Sequence, residues 1–211
     1  MVAPTLRGYG KVRVSIDTNE LGTGDIILFS GIDAYSKLVK VGTRSKWSHV
    51  GLIVDPPEYD FLTIWESSIR QDTLDIETGL HSEGVRLVSF HDRVRAFEGE
   101  ISIRRLQGDV LNEERLRCLV DLREELRGRA YERNKFELLK ASSDGAFRNK
   151  AEDLTSLFCS ELVAEAYQRL GLLTEEKPSN DYAPVDFSHA RMRFLRGNFY
   201  LSEEIKFSID V

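Results

Sequence analysis

The chain has 211 residues, 41% of them hydrophobic and 30% charged, which is enough for one domain with a full hydrophobic core and short for two. Its 35 acidic and 29 basic side chains leave a net charge of −6, so there is no broad positive field for a phosphate backbone and nucleic acid is not an expected partner. No apolar run reaches the ~18 residues that a membrane span needs. Met1 to Ser15 carries Arg7, Lys11 and Arg13 without a continuous apolar stretch, so no secretory signal is expected. Two cysteines allow at most one disulfide, which fits a reducing, cytoplasmic setting.

In chain order, Gly24-Asp25 opens a turn into an apolar strand, Ile26 to Phe29, bounded by Ser30 and Gly31. Ala34 to Thr43 has Tyr35, Leu38 and Val41 at helical spacing. Ser48 to Val54 reads as a strand that Asp55-Pro56-Pro57 stops, and Phe61 to Glu66 as its antiparallel partner. A polar stretch, Ser67 to Gly84, is expected to be a long surface excursion. Strands resume at Val85 to Phe90 and Glu100 to Leu106. Asn112 caps a helix from Glu113 to about Arg127, and Gly128 ends it. A helical piece is expected around Phe136 to Ala141, and a stronger helix from near Phe158 to Leu170. The tail is loop-like apart from a final strand around Ile205 to Ile209. Strands first and helices second predict an α+β class in one domain, residues 1–211, with the core over about 20–190.

The chemistry-bearing residues are few. Cys159 is expected in the first turn of its helix, where free N–H groups and the helix dipole favour thiolate and offer hydrogen bonds to an oxyanion. Cys118 lies mid-helix beside an apolar face and reads as packing. Of four histidines, His49 stands in an otherwise apolar strand, where a titratable ring needs a partner; His81, His91 and His189 lie in polar or irregular contexts. Glu66 closes the strand paired with that of His49 and is the candidate to orient its imidazole. Asp25 and Asp55 are rivals, Asp25 being better suited to fixing its turn. No CxxC, HxxxH or HExxH spacing appears, so no metal or other cofactor is expected. No GxSxG elbow supports a serine nucleophile. Arg191, Arg193 and Arg196 read as a solvated face; with Phe194, Leu195 and Phe199 nearby they are the feature that offers peripheral membrane contact.

Together Gly24-Asp25-Ile26-Ile27, Ser45-Lys46-Trp47-Ser48-His49-Val50-Gly51-Leu52 and Phe158-Cys159-Ser160-Glu161-Leu162-Val163 resemble the circularly permuted NlpC-type papain-fold proteins, the YiiX-like group, with the cysteine helix placed after the histidine strand. Gly128-Arg129-Ala130-Tyr131 and Asn180 to Phe187 extend the likeness. The resemblance implies a papain-like fold, an antiparallel sheet or small barrel packed against helices. It further implies Cys159 as nucleophile, His49 as base and acid, Glu66 as the orienting residue and Tyr131 beside the substrate. Trp47 and Ser160, close in sequence to His49 and Cys159, are expected to border the substrate too. The expected activity is hydrolysis of an amide, ester or thioester through an acyl-enzyme on a peptide, lipid or small acyl substrate. The kinship with lecithin:retinol acyltransferase-like proteins makes acyl transfer an alternative, and a non-catalytic binding module on the same fold is another. Oligomeric state is left open.

Overall fold

A computed structural model describes residues 17–129 and 148–207, with side chains from 159 onward in the last helix. Six strands form one antiparallel sheet: β1 (Ile26–Gly31), β2 (His49–Val54), β3 (Thr63–Ser68), β4 (Gly84–Ser89), β5 (Gly99–Arg104) and β8 (Ile205–Phe207). Their spatial order is β4-β3-β2-β1-β5-β8. The short β6 (Leu106–Gln107) and β7 (Tyr200–Leu201) pair separately. Among the described residues four α-helices accompany the sheet: α1 (Ala34–Thr43), α2 (Phe90–Ala96), α3 (Glu113–Leu126) and α4 (Arg148–Arg169). The molecule is α+β.

Alternation along the strands divides the core into two layers, because successive side chains leave opposite faces of a sheet. Ile26, Leu28, Val50, Leu52, Trp65 and Leu87 face α3 and α4, meeting Leu119, Leu122, Val163, Ala166 and Tyr167. Ile27, Phe29, Ile53, Ile64, Val88 and Ile103 face the other way, toward Phe90 and Val94 of α2 and Phe207 of β8. Register sets what shares a face: Phe29 lies opposite His49, Leu52 opposite Trp65 and Glu66 opposite Arg86. Gly51 sits beneath this second face; a Cβ there would come within 2.7 Å of Ile64 Cγ2, so glycine lets β2 and β3 pack their side chains closely.

Most helices begin on sequence-encoded caps. Asp33 accepts from the Ser36 N–H, Ser89 from the Asp92 N–H and Asn112 from the Arg115 N–H. The α1 range and the β2–β3 pairing agree with the sequence reading, while β3 starts later and runs on through Ser68. Two differences matter for the site. Where the sequence reading placed Phe90 at a strand end, Phe90–Ala96 is a short helix. And α4 starts at Arg148, because Arg148 to Arg169 contains no glycine or proline to break it. The expected helical piece at 136–141 lies outside the described residues, as do residues 208 and 209 of the expected final strand, of which Ile205–Phe207 is described as β8.

Candidate active site

Glu66 is the centre of a buried polar network. It follows Ile64 on the second face of the sheet and is 0% exposed, a position where a bare carboxylate would be strongly disfavoured. Two guanidinium groups compensate it. Arg86, directly across in β4, donates to Oε1 from Nη2 at 2.7 Å and from Nε at 3.1 Å. Arg93, from α2, donates from Nε to Oε1 at 2.9 Å and to Oε2 at 3.0 Å. Arg86 also donates to the carbonyls of Arg70 and Thr73, tying the excursion after β3 to the sheet. The Arg93 guanidinium lies over the rings of Phe29 and Phe97, 4.7 and 5.5 Å from their centroids, which keeps its cation on apolar faces.

His49 completes the group. At the first residue of β2, its ring packs 5.4 Å from that of Phe29, and Nε2 meets Glu66 Oε2 at 2.7 Å. Its other hydrogen-bonding partner is the side chain of Cys159 on α4. Burial opposes the charged imidazole, but the electrostatic and hydrogen-bonding influence of Cys159, followed by that of Glu66, outweighs it and raises the His49 pKa to about 9. For Glu66, burial again pushes upward; Arg93, His49 and Arg86 overcome it and hold the carboxyl well below its usual range. The arrangement therefore keeps an imidazolium between a carboxylate and a sulfur at neutral pH. Such a group can hand a proton to a neighbour of the sulfur and take one back.

The other expected site residues are placed as follows. Cys159 is 2% exposed and lies well inside α4. A residue in a helix interior donates its N–H to the carbonyl one turn earlier, so neither the free N–H groups nor the dipole of a helix start act on it. The expectation of a first-turn thiol with its own amide as oxyanion donor is corrected accordingly. Trp47 is buried with its indole N–H donated to Glu204 at 3.2 Å, and the Ser160 hydroxyl donates to the Tyr182 carbonyl; both are packed within the core. Tyr131 lies outside the described residues. Asp25 accepts from the N–H groups of Gly22 at 3.0 Å and Leu106 at 2.7 Å, the turn-fixing role expected of it, and Asp55 is an exposed residue just past β2.

Sequence reasoning did not single out Arg86 or Arg93. Arg86 carried a usable signal: a charge inside Val85-Arg86-Leu87-Val88 demands a partner by the same logic that pointed to His49. For Arg93 the signal was the cap, Ser89 followed by Asp92 and then basic residues, which marks a short helix over the sheet.

Among the described residues no group of three His, Cys, Asp or Glu side chains is arranged to hold a metal ion, and no helix is long and apolar enough to cross a membrane. No family model matches the chain, and no curated protein matches its sequence. The structure is similar to the crystal structure of the metalloprotein YiiX from Escherichia coli O157:H7, at 17% sequence identity and a TM-score of 0.48, the match covering 90% of this chain and 98% of that one.

Proposed function

We propose that the protein is a cysteine-dependent hydrolase of the permuted papain type, with Cys159 as nucleophile, His49 as general acid and base and Glu66 holding the imidazole. The observation that supports this most is the position of His49, bonded through Nε2 to a carboxylate whose charge is locked by two arginines and in contact with the one sulfur near it. In the reaction, the Cys159 sulfur forms a bond to the carbonyl carbon of an amide, ester or thioester. His49 gives its proton to the departing amine, alcohol or thiol, leaving a thioester on Cys159. Water then attacks the thioester carbon while His49 takes its proton, and the carboxylic acid and the thiolate–imidazolium pair are released and restored. Arg86 and Arg93 act through Glu66: a charged carboxylate keeps the imidazole in one orientation and stabilises its protonated form.

Alkylation by iodoacetamide tests this reading. Cys159 is expected to react at neutral pH, where thiolate is the attacking species. Reaction should slow at least tenfold in His49→Ala. Cys159 that resists alkylation in folded protein, with Cys118 as internal control, would sink the proposal. One observation favours a second reading, a binding module without turnover: Cys159 is 2% exposed, which suits a packed thiol as well as a guarded one.

A further inference from the structure

Arg191, Arg193 and Arg196 are all exposed, and among the described residues none of them has a carboxylate partner. Ala190 to Ser202, the segment that holds them, contains no acidic residue. Of the apolar residues between them and β7, Phe199 is buried but Phe194 is 83% exposed. Phe194 bridges to Tyr200 across a turn, so both rings leave the same face, and Tyr200 is 43% exposed. Val110, 88% exposed, stands beside the same turn. Its neighbour Asp109 accepts from the Asn198 side-chain amide at 3.2 Å, and a Cβ on Gly108 would lie 1.9 Å from the Asn198 carbonyl oxygen. Val110 and Phe194 are the two most exposed large apolar side chains among the described residues. The turn is anchored, with the Leu195 N–H donated to the Phe199 carbonyl at 3.0 Å and the Arg196 N–H to the Leu172 carbonyl, past α4, at 2.8 Å.

We propose that this turn docks the protein on an anionic lipid surface, with Phe194, Tyr200 and Val110 entering the headgroup boundary and the three arginines meeting lipid phosphates. An apolar tip flanked by free guanidinium groups has the layering of a lipid–water interface, with acyl chains within and anionic headgroups above them. Three cations stand here against one carboxylate, Asp109, on a chain whose net charge is −6, so the local field is opposite in sign to that of the whole. An acidic polypeptide would satisfy the arginines and leave the apolar tip without a partner. A bilayer satisfies both. The surface does not depend on the proposed Cys159–His49 chemistry.

Co-sedimentation of the full chain with vesicles of equal parts phosphatidylcholine and phosphatidylglycerol tests this. Saturable binding is expected, weakening as salt is raised, with far less on pure phosphatidylcholine. Replacing all three arginines by glutamine should reduce affinity about a hundredfold, at about fivefold for each cation. Phe194→Ala should reduce it about tenfold through lost apolar area. These side chains are exposed, so the variants should fold. Val41→Ala, an equally simple truncation on the exposed face of α1, should bind like the wild type. No binding to the anionic vesicles, an unchanged Phe194→Ala, or an equal loss in Val41→Ala would each overturn the proposal. So would polyglutamate that binds as tightly as the vesicles and is indifferent to Phe194→Ala, which would assign the arginines to an acidic polypeptide. Cys159→Ala should sediment like the wild type, so an unreactive Cys159 removes the hydrolase and leaves the docking surface, while absent vesicle binding does the reverse.

Discussion

Two buried carboxylates of this protein, Glu66 and Asp25, meet opposite fates. Burial pushes both toward the neutral acid. At Asp25 the compensation is chiefly two backbone N–H groups, which lessen the push without cancelling it, and its pKa stays raised. At Glu66 two guanidinium groups and an imidazolium reverse the push, and the carboxyl lies well below its usual range. Neutral donors are enough to anchor a turn, since the group need only accept hydrogen bonds. Keeping a neighbouring histidine charged is helped by a fixed negative charge, and at Glu66 full charges close by maintain it.

The largest effect that tests this contrast is on stability. Glu66→Gln leaves the buried Arg86 and Arg93 with only the part-exposed Asp72, 3.4 and 4.0 Å away, as counter-charge and is expected to cost about 3 kcal/mol in urea unfolding. Asp25→Asn, which leaves one amide hydrogen bond mismatched, is expected to cost about 1–2 kcal/mol. Equal losses would break the comparison. The next effect is on His49, whose ring should titrate near 9 by NMR in the wild type. Cys159→Ala should lower that value more than Glu66→Gln does, because the sulfur is the larger of the two stabilising influences; the reverse order would show that the carboxylate governs the imidazole.

A smaller effect appears in how stability varies with pH. Glu66, with its pKa lowered from 4.5, contributes stability that is present above 4.5 and lost as pH falls below it. Asp25, raised from 3.8, acts in the other direction, and its ionisation lowers stability as pH climbs above 3.8. Denaturation midpoints measured across this acid range should therefore lose their fall at low pH in Glu66→Gln and rise more steeply with pH in Asp25→Asn. Slopes altered in the same sense by both variants would contradict the assignment. The smallest effect is the exposed reference: Arg117 pairs with Glu113 at 3.4 Å on the surface of α3, and Arg117→Ala should change stability by less than about 0.5 kcal/mol.

What was legible in the sequence follows the same division between backbone and charge. The turn at Asp25, helix α1 and the pairing of the His49 strand with the strand of Glu66 follow from local punctuation and alternation, which need no knowledge of distant residues. Glu66 read as a strand-end carboxylate because nothing near it in sequence announces Arg86 and Arg93, which reach it from β4 and α2. The start of α4 was misplaced for a different reason. A helix that begins in weakly amphipathic sequence shows no hydrophobic periodicity, so the sequence reading starts it only near Phe158.

The separations along the chain within the Glu66 network carry a consequence for assembly. Glu66 finds His49 at 17 residues, Arg86 at 20 and Arg93 at 27, all inside the run from β2 to α2. Cys159 joins from about half the chain away. Short loops close quickly and a long one slowly, so this acid–base cluster is set by early, low-order contacts while the sulfur arrives with late ones. During synthesis every residue of the Glu66 network leaves the ribosome before Cys159 does, so that network is the part of the site that can assemble first.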